Sequence, residues 1–579
     1  MRNTPNRQSA ALPKRPSPLN TRTLWGLLLV ASLVWSLHAA GLFDRELLNV
    51  GGWTLVGRFL VAATHPDLSR EILQLTLDST LKTLAFAVCG TFLSVLIGLV
   101  GGVLSSQVWW QSVVRFRSQR SGIRSQAPWL GIRAVLALPR AIHELIWGLF
   151  LINILGLDPL VAILAIAIPF GTITAKVFSE ILDETPRQPL MALLNSGVSP
   201  LNAFTYTLIP QAFLNLLSYS FYRFECSIRA AAVLGIIGAG GLGYQILLSL
   251  QSLRYEQVWT FVIALIVLNG LTDLWSALLR HRLGAPSRLD LNVLKLKEGN
   301  KPDYQSDLIV KGSFLGMVVL IIFSFWYVQA DFSKLWAPRT AQLLAGLVRD
   351  VFPPDGSQLS QLFTLSLQTL AMSILAMAGA GLGGIVYSFP AAHNFLLPGG
   401  IFAPGNRSSG GLGGQNHGWG SVVLICTRFL LLVARAVPEP IWALLFLFVL
   451  FPGILPGAIA LALHNFGILG RLMAEVTENL DERPLRSLKA LGATRAQVFL
   501  YAVLPLTLPR FMAYILYRWE VCIRATVIVG LVGAGGLGRL LTEQLSNFDY
   551  KGLLTTLIVF LGLTFGVDLI SASVRRALR

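Results

Sequence analysis

The chain carries one segment twice, as YRFECSIRAAAVLGIIGAGGLG at residues 222–243 and as YRWEVCIRATVIVGLVGAGGLG at residues 517–538. The similarity extends outward from these segments, and the runs 140–243 and 435–538 align without a gap. Both runs lie within mostly apolar sequence. A membrane bundle that occurs twice in one chain indicates transport as the first functional class to consider.

Composition places the chain among polytopic membrane proteins. Of its 579 residues, 54% are hydrophobic and only 13% are charged, whereas a soluble protein carries about 25% charged residues. The four cysteines lack the spacing of a metal site, so the sequence predicts neither a zinc site nor a disulfide framework. The net charge of +17 is concentrated between the apolar runs, which is typical of cytoplasmic loops and makes nucleic-acid binding the weaker interpretation.

Hydropathy predicts an all-α fold of about twelve transmembrane helices, arranged as two parallel six-helix repeats. In the first repeat, the expected spans cover residues 23–42, 75–103, 130–154, 157–178, 202–225 and 256–280. In the second repeat, they cover residues 313–331, 361–388, 423–450, 453–475, 497–520 and 552–575. Because six is even, both repeats enter the bilayer in the same direction, which predicts a pseudo-twofold axis along the membrane normal.

The expected organisation has four parts: an N-terminal tail (1–22), a first repeat (23–280), a linker (281–312) and a second repeat (313–579). The first apolar run is interpreted as an uncleaved helix because further spans follow it. The positive-inside rule assigns the tail, the linker and the loops 104–128 and 179–201 to the cytoplasm, together with both termini. A Gly-rich loop at 405–420 receives no secondary structure.

The loop after the fourth span has the same spacing in both repeats. A glycine is followed thirteen positions later by a proline, as Gly197 and Pro210 and again as Gly492 and Pro505. A short helix, a glycine turn and a second helix would suit docking into the groove of a partner, whereas the alternative is an ordinary polar loop. Two copies with the same spacing favour docking. The candidate docking residues are Glu180, Pro189, Gly197, Pro210, Glu475, Pro484, Gly492 and Pro505.

This pattern resembles the EAA loop of type I ABC importer permeases. The wider second copy, with IWALLF, LALHNFGILGRLMAEV and ALGATRAQVFLYAVLP, resembles the PhnE-like permeases of phosphonate, phosphite and phosphate uptake. The resemblance covers roughly residues 75–300 and 361–579. The usual member of that family is a half-length unit that acts as a homodimer, and this chain resembles two such units fused. The acidic start of the consensus is replaced by Arg486-Ser487-Leu488 and Met191-Ala192-Leu193.

The resemblance implies a transmembrane subunit with no catalytic site and no cofactor of its own. ATP and Mg would be held by two separate ABC ATPase subunits in the cytoplasm, and an extracytoplasmic binding protein would deliver the solute. It also implies a multi-pass protein of the bacterial inner membrane. In agreement, the sequence contains no G-x-x-x-x-G-K-[ST] phosphate loop that could hold the nucleotide.

The string G-A-G-G-L-G occurs at residues 238–243 and 533–538 and formally matches the dinucleotide motif G-x-G-x-x-G. That motif requires a preceding β-strand, whereas both copies here follow a membrane span. Glycines at this density permit sharp bends and close helix packing. We therefore expect a bend or gate at the extracytoplasmic end of a translocation path, with Gly240, Gly241, Gly535 and Gly536 as candidate residues.

Charged residues at the ends of the fifth spans are further candidates for the path. They are Arg223, Glu225 and Arg229 in the first repeat and Arg518, Glu520 and Arg524 in the second. Arginines from two repeats near a twofold axis would suit a passing oxyanion. The structural alternative is that Glu225 and Arg229 simply pair at i, i+4.

Glu144 and Glu439 lie in apolar segments and are also candidate path residues. Such carboxylates could serve a proton-coupled carrier, or they could line the path or form interhelical hydrogen bonds. The same alternatives apply to Asp273 and Asp568 in the last spans.

Three other functions stay open at this point. The first is an ABC permease for methionine, glycine betaine or another small solute. The second is an ion-coupled secondary transporter that uses Glu144 and Glu439. The third is a scaffold or membrane enzyme, although the sequence offers no convergent nucleophile–base pair or metal-ligand set.

Overall fold

The computed structural model describes residues 21–43, 49, 51–117, 127–283, 308–397 and 417–578. Most of the N-terminal tail, of the linker and of the Gly-rich loop falls outside these ranges. All regular secondary structure within them is helical, which confirms the all-α prediction.

Eleven α-helices form the first half: α1 (Thr21–Ala39), α2 (Gly52–Ala62), α3 (Arg70–Ser105), α4 (Gln107–Arg117), α5 (Ala127–Ala141), α6 (Glu144–Leu155), α7 (Pro159–Glu184), α8 (Gln188–Asn195), α9 (Pro200–Leu234), α10 (Leu242–Gln251) and α11 (Tyr255–Arg282). The second half contains α12 (Leu308–Val328), α13 (Pro338–Val351), α14 (Leu359–Ala391), α15 (His393–Leu396), α16 (His417–Ala436), α17 (Glu439–Val449), α18 (Ile454–Glu478), α19 (Arg483–Ala490), α20 (Arg495–Val498), α21 (Leu504–Val529), α22 (Gly536–Ser546) and α23 (Tyr550–Leu578).

Each of the twelve predicted spans falls on one helix or on consecutive helices. Within the described ranges, nine helices are long and apolar enough to cross a membrane, or eleven when each bent pair counts as one span. The first predicted span corresponds to a shorter apolar helix, Thr23–Ala39. The prediction of a polytopic membrane protein is therefore confirmed.

Two spans differ from their prediction as single helices. The expected span 130–154 is the bent pair α5 and α6, whose axes differ by 86°, and the expected span 423–450 is interrupted between α16 and α17. The residue just before α6 is His143, and the equivalent residue before α17 is Pro438. Both have an extended backbone, with a ψ angle of 148° at His143 and 151° at Pro438. Pro438 has no N–H to continue a helix, and the His143 ring instead accepts a hydrogen bond from the Leu145 N–H at 3.3 Å.

Small residues hold α3 tightly against α7. A Cβ added at Gly90 would lie 2.8 Å from the Cβ of Ile166, and one added at Gly102 would lie 2.7 Å from the Cβ of Phe178. The earlier glycine of α3 thus faces the earlier residue of α7, and the later glycine faces the later residue, so the two helices run parallel. Close approach through small residues is a common way to pack helices in lipid, where no hydrophobic effect drives them together.

The parallel packing fixes the path of the chain between these helices. Since α3 and α7 run in the same direction, the bent pair α5–α6 returns the chain to the end where α7 begins. The second half repeats the arrangement, because α14 packs on α18 with Gly379 facing Ala462 at 3.4 Å from an added Cβ. The short helices α8 and α19 follow α7 and α18, so each lies at the finishing end of its parallel pair.

The first helix of each half packs on the other half. Helix α1 contacts α14, and α12 contacts α3. The rings of Phe92 on α3 and Phe325 on α12 meet edge to face with centroids 5.8 Å apart. The exchange is reciprocal, as a pseudo-twofold relation requires.

The starting ends of both halves lie side by side. The Asn49 N–H donates to the carbonyl of Val449 at 2.7 Å, and the Lys334 ammonium donates to the Asp158 carboxylate, which raises the pKa of Lys334. Asn49 and Lys334 precede α3 and α14, whereas Val449 and Asp158 lie just before α18 and α7. Because equivalent ends meet, the two halves are parallel, in agreement with a pseudo-twofold axis along the membrane normal.

The glycines of α3 that pack on α7 give a first test. A Cβ at Gly98 would lie 2.4 Å from Thr174 Cγ2, whereas nothing lies within 4 Å of a Cβ at Gly316 on α12. We expect Gly98→Leu to destabilise the protein by about 1–3 kcal/mol through overpacking, seen as a lower midpoint in thermal unfolding of the purified protein in detergent. The matched Gly316→Leu variant should unfold within error of wild type. Equal midpoints for all three proteins would contradict the close contact of α3 with α7 at Gly98.

Candidate functional site

Helices α8 and α19, here called the docking helices, present most of their surface to solvent. One leucine anchors each of them, since Leu190 and Leu485 are only 1% and 4% exposed. Pro189 and Pro484 lie in their first turns, where the missing N–H has no helical partner to lose. Each docking helix is therefore tethered on one side and available on the other. The end of the molecule that carries them is called the docking end below.

The same turn terminates both docking helices. Gly197 and Gly492 each have a φ of +83°, the left-handed conformation that glycine adopts at little cost. The Val198 N–H donates to the Leu193 carbonyl at 3.1 Å, and the Ala493 N–H donates to the Leu488 carbonyl at 3.1 Å. The glycine that the sequence singled out is thus the residue that reverses the chain toward the next span.

The two docking helices differ in charge. Exposed Arg483, Arg486 and Lys489 make α19 strongly cationic, and Arg486 pairs with Glu482 at 2.8 Å. Helix α8 carries none of these charges and has the sequence QPLMALLN. The two helices therefore offer unlike surfaces for docking.

The remaining loop candidates lie in the flanking spans. Glu180 and Glu475 occupy the last turns before the docking helices, where they pair with Lys176 at 3.9 Å and with Arg471 at 3.1 Å. Pro210 lies inside the continuous helix α9. Pro505 instead follows a π-helical turn at 499–503, a common adjustment where a proline removes a backbone hydrogen bond.

The G-A-G-G-L-G segments form the bends between α9 and α10 and between α21 and α22. In each copy three glycines have positive φ: Gly238, Gly240 and Gly241 in the first, and Gly533, Gly535 and Gly536 in the second. A helix precedes each segment, so the dinucleotide fold is excluded here. The first bend measures 56°.

A threonine from a neighbouring span fixes each bend. The Leu242 N–H donates to Thr83 Oγ1 on α3 at 2.9 Å, and the Leu537 N–H donates to Thr369 Oγ1 on α14 at 2.9 Å. The free N–H groups at the start of α10 and α22 are thereby partly satisfied. Lys82 on α3 also approaches the first bend, since its Nζ would lie 2.9 Å from a Cβ at Gly240.

Arg223 and Arg518 are equivalent residues with different partners. Arg223 donates to the Tyr219 hydroxyl at 2.6 and 2.9 Å and lies 5.0 Å from the Phe170 ring centre. Arg518 donates to Asn465 Oδ1 at 2.6 and 3.0 Å. The difference arises because Asn465 holds the position that Phe170 holds in the first half.

Arg223 and Arg518 share a neighbour at the interface between the halves. Tyr222 lies within electrostatic range of both Arg223 and Arg518, as well as of its counterpart Tyr517. The expectation that these arginines meet near the pseudo-twofold axis and face a passing solute stays a prediction.

Glu225 and its equivalent Glu520 each contact an arginine in the last span of their own half. Glu225 lies 3.8 Å from Arg280 on α11, and the equivalent Glu520 accepts a 2.5 Å hydrogen bond from Arg575 on α23. The carboxylates thus face the last span of their own half, and Glu225 also lies within electrostatic range of Arg229. Each pair neutralises a charge that would be costly at membrane depth.

The two aspartates of the last spans have different partners in the two halves. Asp273 pairs across the interface with Arg435 on α16. The equivalent Asp568 instead lies 3.4 Å from Arg524 of its own half, and Arg229 is within electrostatic range of Asp273. The Asp273–Arg435 pair thus joins the two halves directly.

Glu144 and Glu439 begin the second helix of the two broken spans. Glu439 Oε1 lies 3.3 Å from His464 Nε2 on α18, which makes an interhelical contact. In the first half Pro169 replaces this histidine, and Glu144 lies 3.2 Å from the adjacent His143 instead. Both carboxylates are largely buried and have polar partners.

Sequence reasoning missed the interface role of Arg435. It also missed the two helix breaks, although the Pro438-Glu439-Pro440 run was a usable signal. The Asp273–Arg435 contact joins residues that are 162 positions apart, and no local pattern encodes such a pair.

This interface pair gives a second test. Asp273→Asn would leave the Arg435 guanidinium, whose side chain is 13% exposed, without its carboxylate, at a cost of about 3–5 kcal/mol. Asp568→Asn should cost less, because the Asp568 side chain is 40% exposed and its contact is longer. Thermal unfolding of both variants, of Arg435→Gln and of the double variant Asp273→Asn/Arg435→Gln measures this. Strictly additive losses in the double variant would contradict a direct pair.

Comparison with known proteins identifies the family to which the chain belongs. The family described as "Binding-protein-dependent transport system inner membrane component" matches residues 129–285 and 416–579. The phosphate-import permease protein PhnE of Mycolicibacterium smegmatis is 29% identical over 449 residues, which are 77% of each chain. The phosphite transport system permease protein PtxC of Stutzerimonas stutzeri is 36% identical over 233 residues, which are 40% of this chain and 77% of that protein.

A chain of the MetNI methionine ABC transporter, solved in inward-facing conformations, is matched over 37% of this chain and 98% of its own, with 21% identity and a TM-score of 0.33. The family match recurs once in each half and spans the broken helix, the docking helix and the glycine bend of both copies. The chain therefore belongs to the family of binding-protein-dependent transport system inner membrane components, and it carries the membrane domain of these ABC importer permeases twice.

Proposed function

We propose that this chain is the fused permease of an ATP-driven importer of phosphorus oxyanions, namely phosphonate, phosphite or phosphate. The observation that carries the choice of solute is the relative named for phosphate import, which aligns with this chain across both halves. A shorter relative named for phosphite transport aligns over a length that corresponds to one half. Arginines of both halves near the axis suit anionic solutes of this class.

In this proposal the docking end faces the cytoplasm, as do both termini. Two ABC ATPase subunits hold α8 and α19 and bind ATP and Mg, while a binding protein delivers solute at the opposite face. The exposed surfaces of the docking helices support this assignment. The organisation into a tail (1–22), two six-span repeats (23–280 and 313–579) and a linker (281–312) is part of the same proposal.

ATP binding closes the ATPase subunits, which moves the docking helices and rocks the two halves about their shared axis. The loop contacts come from Glu180, Pro189, Gly197, Pro210, Glu475, Pro484, Gly492 and Pro505. The path runs between the halves, and its candidate residues are Glu144, Arg223, Glu225, Arg229, Gly240, Gly241, Glu439, Arg518, Glu520, Arg524, Gly535 and Gly536. The glycine bends serve as gates at the far end.

Reconstitution tests the proposal. The chain is placed in proteoliposomes with the ABC ATPase and the binding protein of a phosphorus-oxyanion importer from the same organism, and uptake of radiolabelled phosphate, phosphite and methylphosphonate is measured with and without ATP. We expect ATP-dependent uptake of at least one of them and none of methionine or glycine betaine. Uptake without the ATPase would indicate an ion-coupled carrier, and uptake only of a non-phosphorus solute would refute the substrate assignment.

The unlike docking helices predict unequal coupling. Replacing Gly492 by valine strains the turn that presents the cationic helix α19, and replacing Gly197 by valine strains the equivalent turn of α8. We expect Gly492→Val to reduce the stimulation of ATPase activity more than Gly197→Val does, because charged contacts on α19 depend on its orientation. An ATPase assay on the reconstituted complex measures both. Equal losses would refute unequal coupling.

A further inference from the structure

A cavity of about 160 Å³ lies at the docking end of the first half, between the end of α3, α5 and the last turns of α7. Its charged lining consists of Arg133, Arg140, Lys176 and Glu180. Three cations therefore face one carboxylate. A water molecule needs roughly 10–15 Å³ of such space, so a five-atom oxyanion fits with part of its hydration shell.

The cations of this cavity are loosely paired. Lys176 lies 3.9 Å from Glu180, and Arg133 lies 3.6 Å from Asp183. Among the described residues, no carboxylate forms an ion pair with Arg140 within 4.0 Å. The cavity thus has positive charge that its own acidic residues neutralise only in part.

The hydroxyl groups of the cavity are already engaged with the backbone. Ser105 donates to the Gly101 carbonyl at 2.6 Å, Thr172 to the Pro169 carbonyl at 2.9 Å and Ser179 to the Lys176 carbonyl at 2.7 Å. A bound anion would consequently depend on the guanidinium and ammonium groups.

In the equivalent region of the second half, the three cations are paired more closely. Arg428 pairs with Glu478 at 2.5 Å, Arg471 with Glu475 at 3.1 Å, and Arg435 with Asp273 across the interface. These three arginines correspond to Arg133, Lys176 and Arg140. Arg133 and Lys176 thus make the equivalent ion pairs at longer distances, and Arg140 has no counterpart, among the described residues, to the Arg435–Asp273 pair.

The second half also contributes to the electrostatics of the cavity. Arg524 lies within electrostatic range of Arg140, so two like charges face each other across the interface, with Asp568 nearby. The Nε of Arg524 is buried and has no hydrogen-bond partner among the described residues. An anion beside Arg140 would reduce this repulsion.

We propose that this cavity is a binding site for a phosphoryl-type oxyanion, present in the first half alone and distinct from the arginines near the pseudo-twofold axis. Arg140 and Lys176 are the principal ligands, and Arg133 is held beside them by Trp129, whose ring centre lies 4.4 Å away. The ligand is either a free oxyanion on its way to the cytoplasm or the phosphate of an anionic lipid. The first of these sources rests on the proposed function.

The test uses the full chain in nanodiscs without partner proteins. Equilibrium binding of radiolabelled inorganic phosphate is measured in neutral phosphatidylcholine nanodiscs. We expect saturable binding, weakened about tenfold or more by Arg140→Gln and about two- to fivefold by Lys176→Gln. The matched control Arg471→Gln alters the equivalent position of the second half, where the charge is already paired, and should leave binding unchanged.

A second arm identifies a lipid ligand. Native mass spectrometry of the chain from phosphatidylglycerol nanodiscs would show a retained lipid that Arg140→Gln and Lys176→Gln release and Arg471→Gln does not. If Arg140→Gln and Lys176→Gln weaken binding and Arg471→Gln does not, the site is supported. The arm in which this occurs shows whether the ligand is a free oxyanion or a lipid phosphate. The site is overturned when neither ligand binds, or when Arg471→Gln weakens binding as much as Lys176→Gln does. ATP-dependent uptake is assayed separately, so loss of this site would leave the proposed import function standing.

Discussion

The rest of this molecule depends on close contact within two pairs of parallel helices. Helix α3 packs on α7 in the first half, and α14 packs on α18 in the second. In lipid, helices gain little from hydrophobic association, and small residues that let backbones approach are a principal source of stability. Once α3 and α7 run side by side in one direction, the chain between them must return. The broken pair α5–α6 makes that return, and the docking helix α8 follows at the finishing end.

The two halves share this framework but differ in their charges. In the second half, Asn465 accepts hydrogen bonds from Arg518, and His464 contacts Glu439. The first half has Phe170 and Pro169 at those positions, and its cations are less fully paired. Fusion of two units into one chain fixes which half meets which, so each half is free to carry its own set of polar contacts.

Sequence predicted the features that depend on local pattern. The spans follow from apolar runs of sufficient length, and the turns at Gly197 and Gly492 follow from glycine where the chain reverses. Which helices pack together does not follow in this way, because the apolar surface of one helix can pack against many others. The exchange of α1 and α12 between halves was therefore not foreseen. The contact of Glu225 with Arg280 was missed for a related reason, since it depends on how α11 packs against α9.

The parallel arrangement of the halves is the central claim, and the side of the membrane reached by each docking helix tests it most directly. Single cysteines are introduced at Ser196, Leu491 and Leu157 in a background without the four native cysteines, and intact cells are treated with a membrane-impermeant maleimide. Leu157 is 80% exposed at the opposite end and Leu491 is 83% exposed at the docking end. The account predicts labelling at position 157 in intact cells, and at positions 196 and 491 only after permeabilisation. Labelling of positions 196 and 491 from opposite sides of the membrane would contradict it.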